Sequence, residues 1–119
     1  MDIHLFEGAG SPKPREEVKI EELETVVYPD RFRVFIHIAV TPFMERPNIL
    51  LTARNSEDRV VSELSIIETM HFDMEFTMHL RNVQEPTGEY TLTAELYYET
   101  RNPPQDRRTV TFVVPEATE

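Results

Sequence analysis

Histidine is the residue type with the most chemistry to offer in this chain, and two of its four histidines sit on alternating runs. Phe32, Val34, Ile36, Ile38 and Val40 alternate with Arg31, Arg33, Phe35, His37 and Ala39. Phe72, Met74, Phe76, Met78 and Leu80 alternate with Asp73, Glu75, Thr77, His79 and Arg81. Side chains of a strand project with period two, so each run predicts a strand with one buried and one wet face. Phe72, Phe76 and Leu80 are expected inside; Asp73, Glu75 and His79 outside. Were the two runs neighbours in a sheet, their wet faces would gather His37, His79, Asp73, Glu75 and Arg33. Such a set could bind Zn²⁺, which needs three or four ligands at about 2.0–2.2 Å. No His-x-His or His-x₃-His spacing accompanies it. The expectation is a solvated cross-strand pair of His37 with Glu75, worth roughly a few tenths of a kcal/mol. No metal or other cofactor is expected.

Other chemistries find less support. Gly8, Gly10 and Gly88 form no loop that could cradle a phosphate. Ser11, Ser56, Ser62 and Ser65 stand in no nucleophile elbow. There is no cysteine, hence no thiol chemistry and no disulfide framework. The expectation is a protein that is not an enzyme.

Charge narrows the partners. The formal net charge is −10, and the only lysines are Lys13 and Lys19. Phosphate recognition needs clustered cations that release counterions, so nucleic acid is not an expected partner, and neither is an anionic membrane. Residues 1–7 lack the basic and apolar regions of a signal peptide. No apolar stretch approaches the roughly 20 residues that span a bilayer. A cytoplasmic location is the expectation.

The elements that must position these residues follow from the same alternation. Residues 1–17 read as a flexible arm, because Gly8-Ala9-Gly10-Ser11-Pro12-Lys13-Pro14 gains too little from burial to offset its ordering entropy. Within it, Ile3, Leu5 and Phe6 could dock as a short strand. Residues 18–28, with Glu21, Glu22 and Glu24 among Ile20, Leu23, Val26 and Val27, read as an edge strand whose charges discourage pairing. Residues 48–54 and 59–67 add two more strands around the polar turn Asn55–Asp58. In the second, Val61 and Ile67 are expected to point outward. Tyr90, Leu92, Ala94, Leu96 and Tyr98 alternate with Thr91, Thr93, Glu95 and Tyr97. Val110, Phe112 and Val114 share one face of a final strand, which Pro115 ends. Residues 18–115 form the domain, and 116–119 an acidic tail.

Seven strands at this spacing resemble an immunoglobulin-like sandwich, and the fibronectin type III-like members most. The most specific local match is Gly88-Glu89-Tyr90-Thr91-Leu92. Gly88 takes the small position, Tyr90 the tyrosine of a tyrosine corner, and Leu92 the place of a cysteine. The chain lacks the cysteines and the tryptophan of antibody domains, and the resemblance is one of fold. It implies an all-β, seven-stranded antiparallel sandwich in which the second and fifth strands share one sheet and the third, sixth and seventh the other. It also implies a Tyr90 hydroxyl bonded to nearby backbone.

Function is then expected from surfaces. Phe35, Tyr97 and Val113 point outward, with Tyr97 and Val113 taken as a close pair on the last hairpin. Together with Ile3, Leu5 and Phe6 they form the candidate surface for a protein partner, a second copy included. The reading is a non-catalytic interaction or assembly module. A carbohydrate-binding module is the alternative, although few aromatics face outward. A small metal-binding or hydrolytic domain is the second.

Overall fold

The computed structural model describes residues 11–81 and 83–117. After a short 3₁₀ turn at Arg15–Glu17 the chain runs through β1 (Ile20–Val27), β2 (Arg33–Val40), β3 (Asn48–Arg54), β4 (Val60–Ile66), β5 (Asp73–His79), β6 (Gly88–Tyr97) and β7 (Asp106–Val114). The strands form two antiparallel sheets, β1-β2-β5 and β4-β3-β6-β7. The described residues form an all-β sandwich of seven strands.

Alternation decides which residues meet between the sheets. Val34, Ile36, Ile38 and Val40 on β2 are buried, as are Ile49, Leu51 and Ala53 on β3 and Leu92, Ala94 and Leu96 on β6. Each large apolar side chain taken from water contributes about 1.5–3 kcal/mol. The outer face of the four-stranded sheet is partly covered as well, because Leu50 and Thr52 are also buried.

The corner before β6 forms as expected. Tyr90 is buried, and its hydroxyl donates to the carbonyl of Pro86 at 2.6 Å. Its ring stacks on Phe112 with centroids 5.1 Å apart. Gly88 begins the strand at φ +140°, a conformation that L side chains rarely adopt.

Three expectations need correction. Val61 does not face outward: it is buried, while Val60 is half exposed. Ala53 pairs with Ser62 but Arg54 pairs with Val60, so a bulge adds one residue to β4 and turns Val61 into the core. Phe72 is 38% exposed and Phe76 only partly buried, because β5 is an edge strand and Phe72 precedes it. Phe32 is 38% exposed because it precedes β2 and lies beyond its paired length.

Ile3, Leu5 and Phe6 lie outside the described residues. Part of the expected arm, residues 11–17, is described and has definite contacts. Lys13 bridges Phe43, and Arg15 is ion-paired with Glu45 and with Glu99 at 2.7 Å while its guanidinium lies over the Tyr98 ring.

Candidate interaction surface

The outer face of the three-stranded sheet carries the histidine chemistry, with different partners from those expected. His37 stands opposite Glu24 on β1 and Glu75 on β5. Its hydrogen bonds go to Glu24 (Nδ1, 3.0 Å) and, diagonally, to Asp73 (Nε2, 2.7 Å), not to Glu75. Glu22 lies 3.8 Å from Nδ1. His79 stands opposite Arg33 at the other end of the sheet and does not join the group. A carboxylate at each ring nitrogen favours the doubly protonated ring, which donates to both, so the bonds to Glu24 and Asp73 raise the His37 pKa. Donor atoms of Glu22, Glu24 and His37 lie within 4.8 Å of one another, so the group can hold a proton or, with rearrangement, a cation.

The two sides of the sandwich are finished differently. On the β1/β7 side, side chains close the seam. Asp106 accepts the Ile20 N–H at 2.8 Å, Arg108 donates to the Glu21 carbonyl at 2.7 Å, and Gln105 donates to the carbonyls of Arg15 and Val18, both at 2.6 Å. These side chains satisfy backbone groups that a neighbouring strand would otherwise take.

Among the described residues, the β4/β5 side is open along much of its length. The Arg81 N–H reaches the Val61 carbonyl at one end. At the other lies a groove of about 590 Å³, lined by Ile66, Ile67, Met70, Met74 and Phe76 among others. Ile67 is 65% exposed and Met70 68%. The loop presenting them is held firmly. Thr69 is buried; its hydroxyl donates to the His71 carbonyl and accepts the His71 N–H, and its own N–H bonds the Pro47 carbonyl. Glu68 takes φ 47° there, with its N–H on the Asn48 side chain.

β5 offers its backbone to this groove. The Val40 N–H bonds Phe72, and the Leu80 N–H bonds Phe32. In an antiparallel ladder such bonds recur at every second residue. The even positions of β5 therefore pair with β2, while Asp73, Glu75 and Thr77 turn N–H and C=O groups toward the open side.

The residues singled out from sequence do not form one patch. Phe35 lies on the outer face of the three-stranded sheet, opposite Val26 and Thr77. Tyr97 and Val113 stand at opposite ends of the β6–β7 hairpin. Val113 pairs with Glu89, whereas Tyr97 pairs with Asn48 at the far end of β6. At about 3.4 Å per residue they are roughly 27 Å apart. Ile67 is exposed, as alternation predicts, but it and Met70 lie between β4 and β5, and alternation could not join them into a groove.

A second concavity, of about 540 Å³, lies on the outer face of the four-stranded sheet. It is polar, with Thr52, Thr93, Thr109 and Glu63 around Glu95. Glu95 is held by Arg107 at 2.9 Å and Arg101 at 3.2 Å.

No protein-family model matches the chain, and a search of curated proteins finds no match. Solved structures do resemble it. One is a family 2 glycosyl hydrolase from Bacteroides cellulosilyticus, at 11% identity and a TM-score of 0.56, covering 82% of this chain and 15% of that one. Another is the Bifidobacterium dentium β-glucuronidase, solved with coumarin-3-O-glucuronide, at 16% identity and a TM-score of 0.54 over 82% of this chain and 18% of the other. The Parabacteroides merdae β-glucuronidase matches at 10% identity and a TM-score of 0.56, over 82% and 14%. At such identities the likeness is one of fold. The chain spans about 15% of the first of these proteins.

Proposed function

We propose that this protein is a non-catalytic interaction or assembly module of the immunoglobulin-like, fibronectin type III-like kind, and that it binds an extended segment at its open side. The tyrosine corner supports the fold assignment. So does the strand division: the fourth strand lies beside the third, unlike the constant-type domain, where it joins the first, second and fifth. The β4/β5 groove carries the functional reading, because it joins outward backbone groups of β5 to the exposed apolar side chains of Ile67 and Met70. Strand addition uses that combination: main-chain bonds give affinity, and pockets for alternate side chains give specificity. The resemblance to short stretches of large glycosyl hydrolases supports an accessory role.

An NMR titration with extended peptides of alternating apolar and polar residues tests the proposal. Saturable shifts at the amides of Asp73, Glu75 and Thr77 are expected. Shifts confined to the other faces, or none with any peptide in either the native chain or its Ile3→Asp, Leu5→Asp variant, would overturn it.

Carbohydrate binding is the second reading, favoured by the hydroxyl-rich and arginine-flanked cleft around Glu95. Titration with neutral and uronic-acid oligosaccharides would then move the amides of Thr93 and Thr109 instead.

A further inference from the structure

We infer that the segment occupying the β4/β5 groove is residues 2–7 of a second copy of this chain. The inference rests on the interaction reading and names its partner. The chain's path supplies the argument. Lys13 bridges Phe43, and the Phe43 ring meets the Phe72 ring edge-on at 6.2 Å. Phe72 is separated from Met70 of the groove only by His71, another lining residue. The described part of the chain thus begins two residues before a contact beside the groove mouth.

Their pattern fits the groove. In Asp2-Ile3-His4-Leu5-Phe6-Glu7, Ile3 and Leu5 flank His4, and Phe6 adds a third apolar residue on the alternate position. A strand laid on β5 would direct Ile3 and Leu5 to the same face. Phe6 lies five residues before Ser11 and Ile3 eight. At roughly 3.3–3.6 Å per extended residue they reach about 17 and 27 Å from it.

The geometry favours a second molecule over the chain's own groove. Ser11 and Lys13 each precede a proline, which biases both to extended backbone and disfavours a tight turn back at either position. The apolar surface at the mouth is also broader than one short strand. Met44 is 70% exposed beside Phe43, and Phe72, Met70 and Ile67 continue the run. Two copies related by a twofold axis near Phe72 would cover it while each segment enters the other's groove, which closes the assembly. Asp2, on the alternate face, would approach the exposed carboxylates Asp73 and Glu75, and each copy is strongly acidic, so salt should strengthen the association by screening like charges.

Light scattering across the micromolar range tests this with three chains. The native chain should dimerise. Ile3→Asp with Leu5→Asp should raise the dissociation constant at least about tenfold, and so should Met70→Glu. Met70 is exposed, and unchanged denaturation midpoints should confirm that each variant folds. The decisive arm mixes the two variants. One then carries an intact groove and the other an intact segment, so a mixed dimer should form although each alone is monomeric. A native monomer, a dimer unaffected by either change, or a mixture that fails to pair would overturn the inference. If the native chain is monomeric but extended peptides still shift the β5 amides, the second-copy occupant is wrong and the interaction reading stands. If the native chain is monomeric and those peptides shift the β5 amides only after the Ile3 and Leu5 substitutions, the chain occupies its own groove and the second-copy assignment fails.

Discussion

The carboxylate of Asp106 accepts the backbone N–H of Ile20 at 2.8 Å, joining the first strand of one sheet to the last strand of the other. This contact, with those of Arg108 and Gln105, closes one side of the sandwich, while among the described residues the opposite side is open.

Asp106→Ala should destabilise the protein by about 1.5–3 kcal/mol, the range for a hydrogen bond to a charged group in a partly buried setting. Asp106→Asn should recover part of the loss, since an amide oxygen can still accept. Urea denaturation of the two variants reads the difference. An Ala variant as stable as the native chain would show that the seam is incidental.

Tyr90 tests the corner. Removing only its hydroxyl, in Tyr90→Phe, leaves the Pro86 carbonyl without its partner and should cost about 1 kcal/mol. Tyr90→Ala also removes the ring stacked on Phe112 and should cost about 3–5 kcal/mol. A neutral Tyr90→Ala would refute the assignment.

The bulge in β4 makes neighbouring valines unequal. Val61→Ala creates a cavity in the core and should cost roughly 1–3 kcal/mol. Val60→Ala, at a half-exposed position, should stay within about 0.5 kcal/mol of the native chain. Equal midpoints for the two variants, or the reverse order, would mean that the register has slipped.

The strands and the buried tyrosine were legible because period-two alternation depends on local sequence. Val34 to Val40 and Tyr90 to Leu96 announce their buried face without knowledge of their neighbours. Val61 was not legible: a bulge is a property of two paired backbones, and no residue in Val60-Val61-Ser62 marks it. His37 was correctly placed on a wet face, but its partners depend on the pairing of β1 with β2 and on a diagonal contact to β5. The groove was the least legible feature. It exists because β4 and β5 are edges of different sheets on the same side, which only the three-dimensional arrangement determines. Tyr97 and Val113 show the complementary error, since adjacent strands need not bring two given positions together.

His37 should make stability depend on pH in a predictable direction. Its hydrogen bonds to Glu24 and then Asp73 raise its folded pKa above the ordinary 6.5. Glu22 and Glu24 face the ring from β1, and Asp73 and Glu75 from β5. Below the unfolded pKa the ring is charged in both states, and its contribution is fully present. Between the two pKa values the unfolded chain releases the proton that the folded chain keeps. Stability therefore falls as pH rises, and the contribution is lost above the folded pKa. The depressed carboxylates Asp30, Glu45 and Glu85 act in the opposite sense at lower pH, so the two regimes separate. Urea midpoints measured between about pH 6 and 8 should decline in the native chain and flatten in His37→Gln. A ring titration by NMR should give His37 a pKa above 6.5. A decline that persists unchanged in His37→Gln, or a His37 pKa below that value, would show that the two carboxylates do not hold the proton.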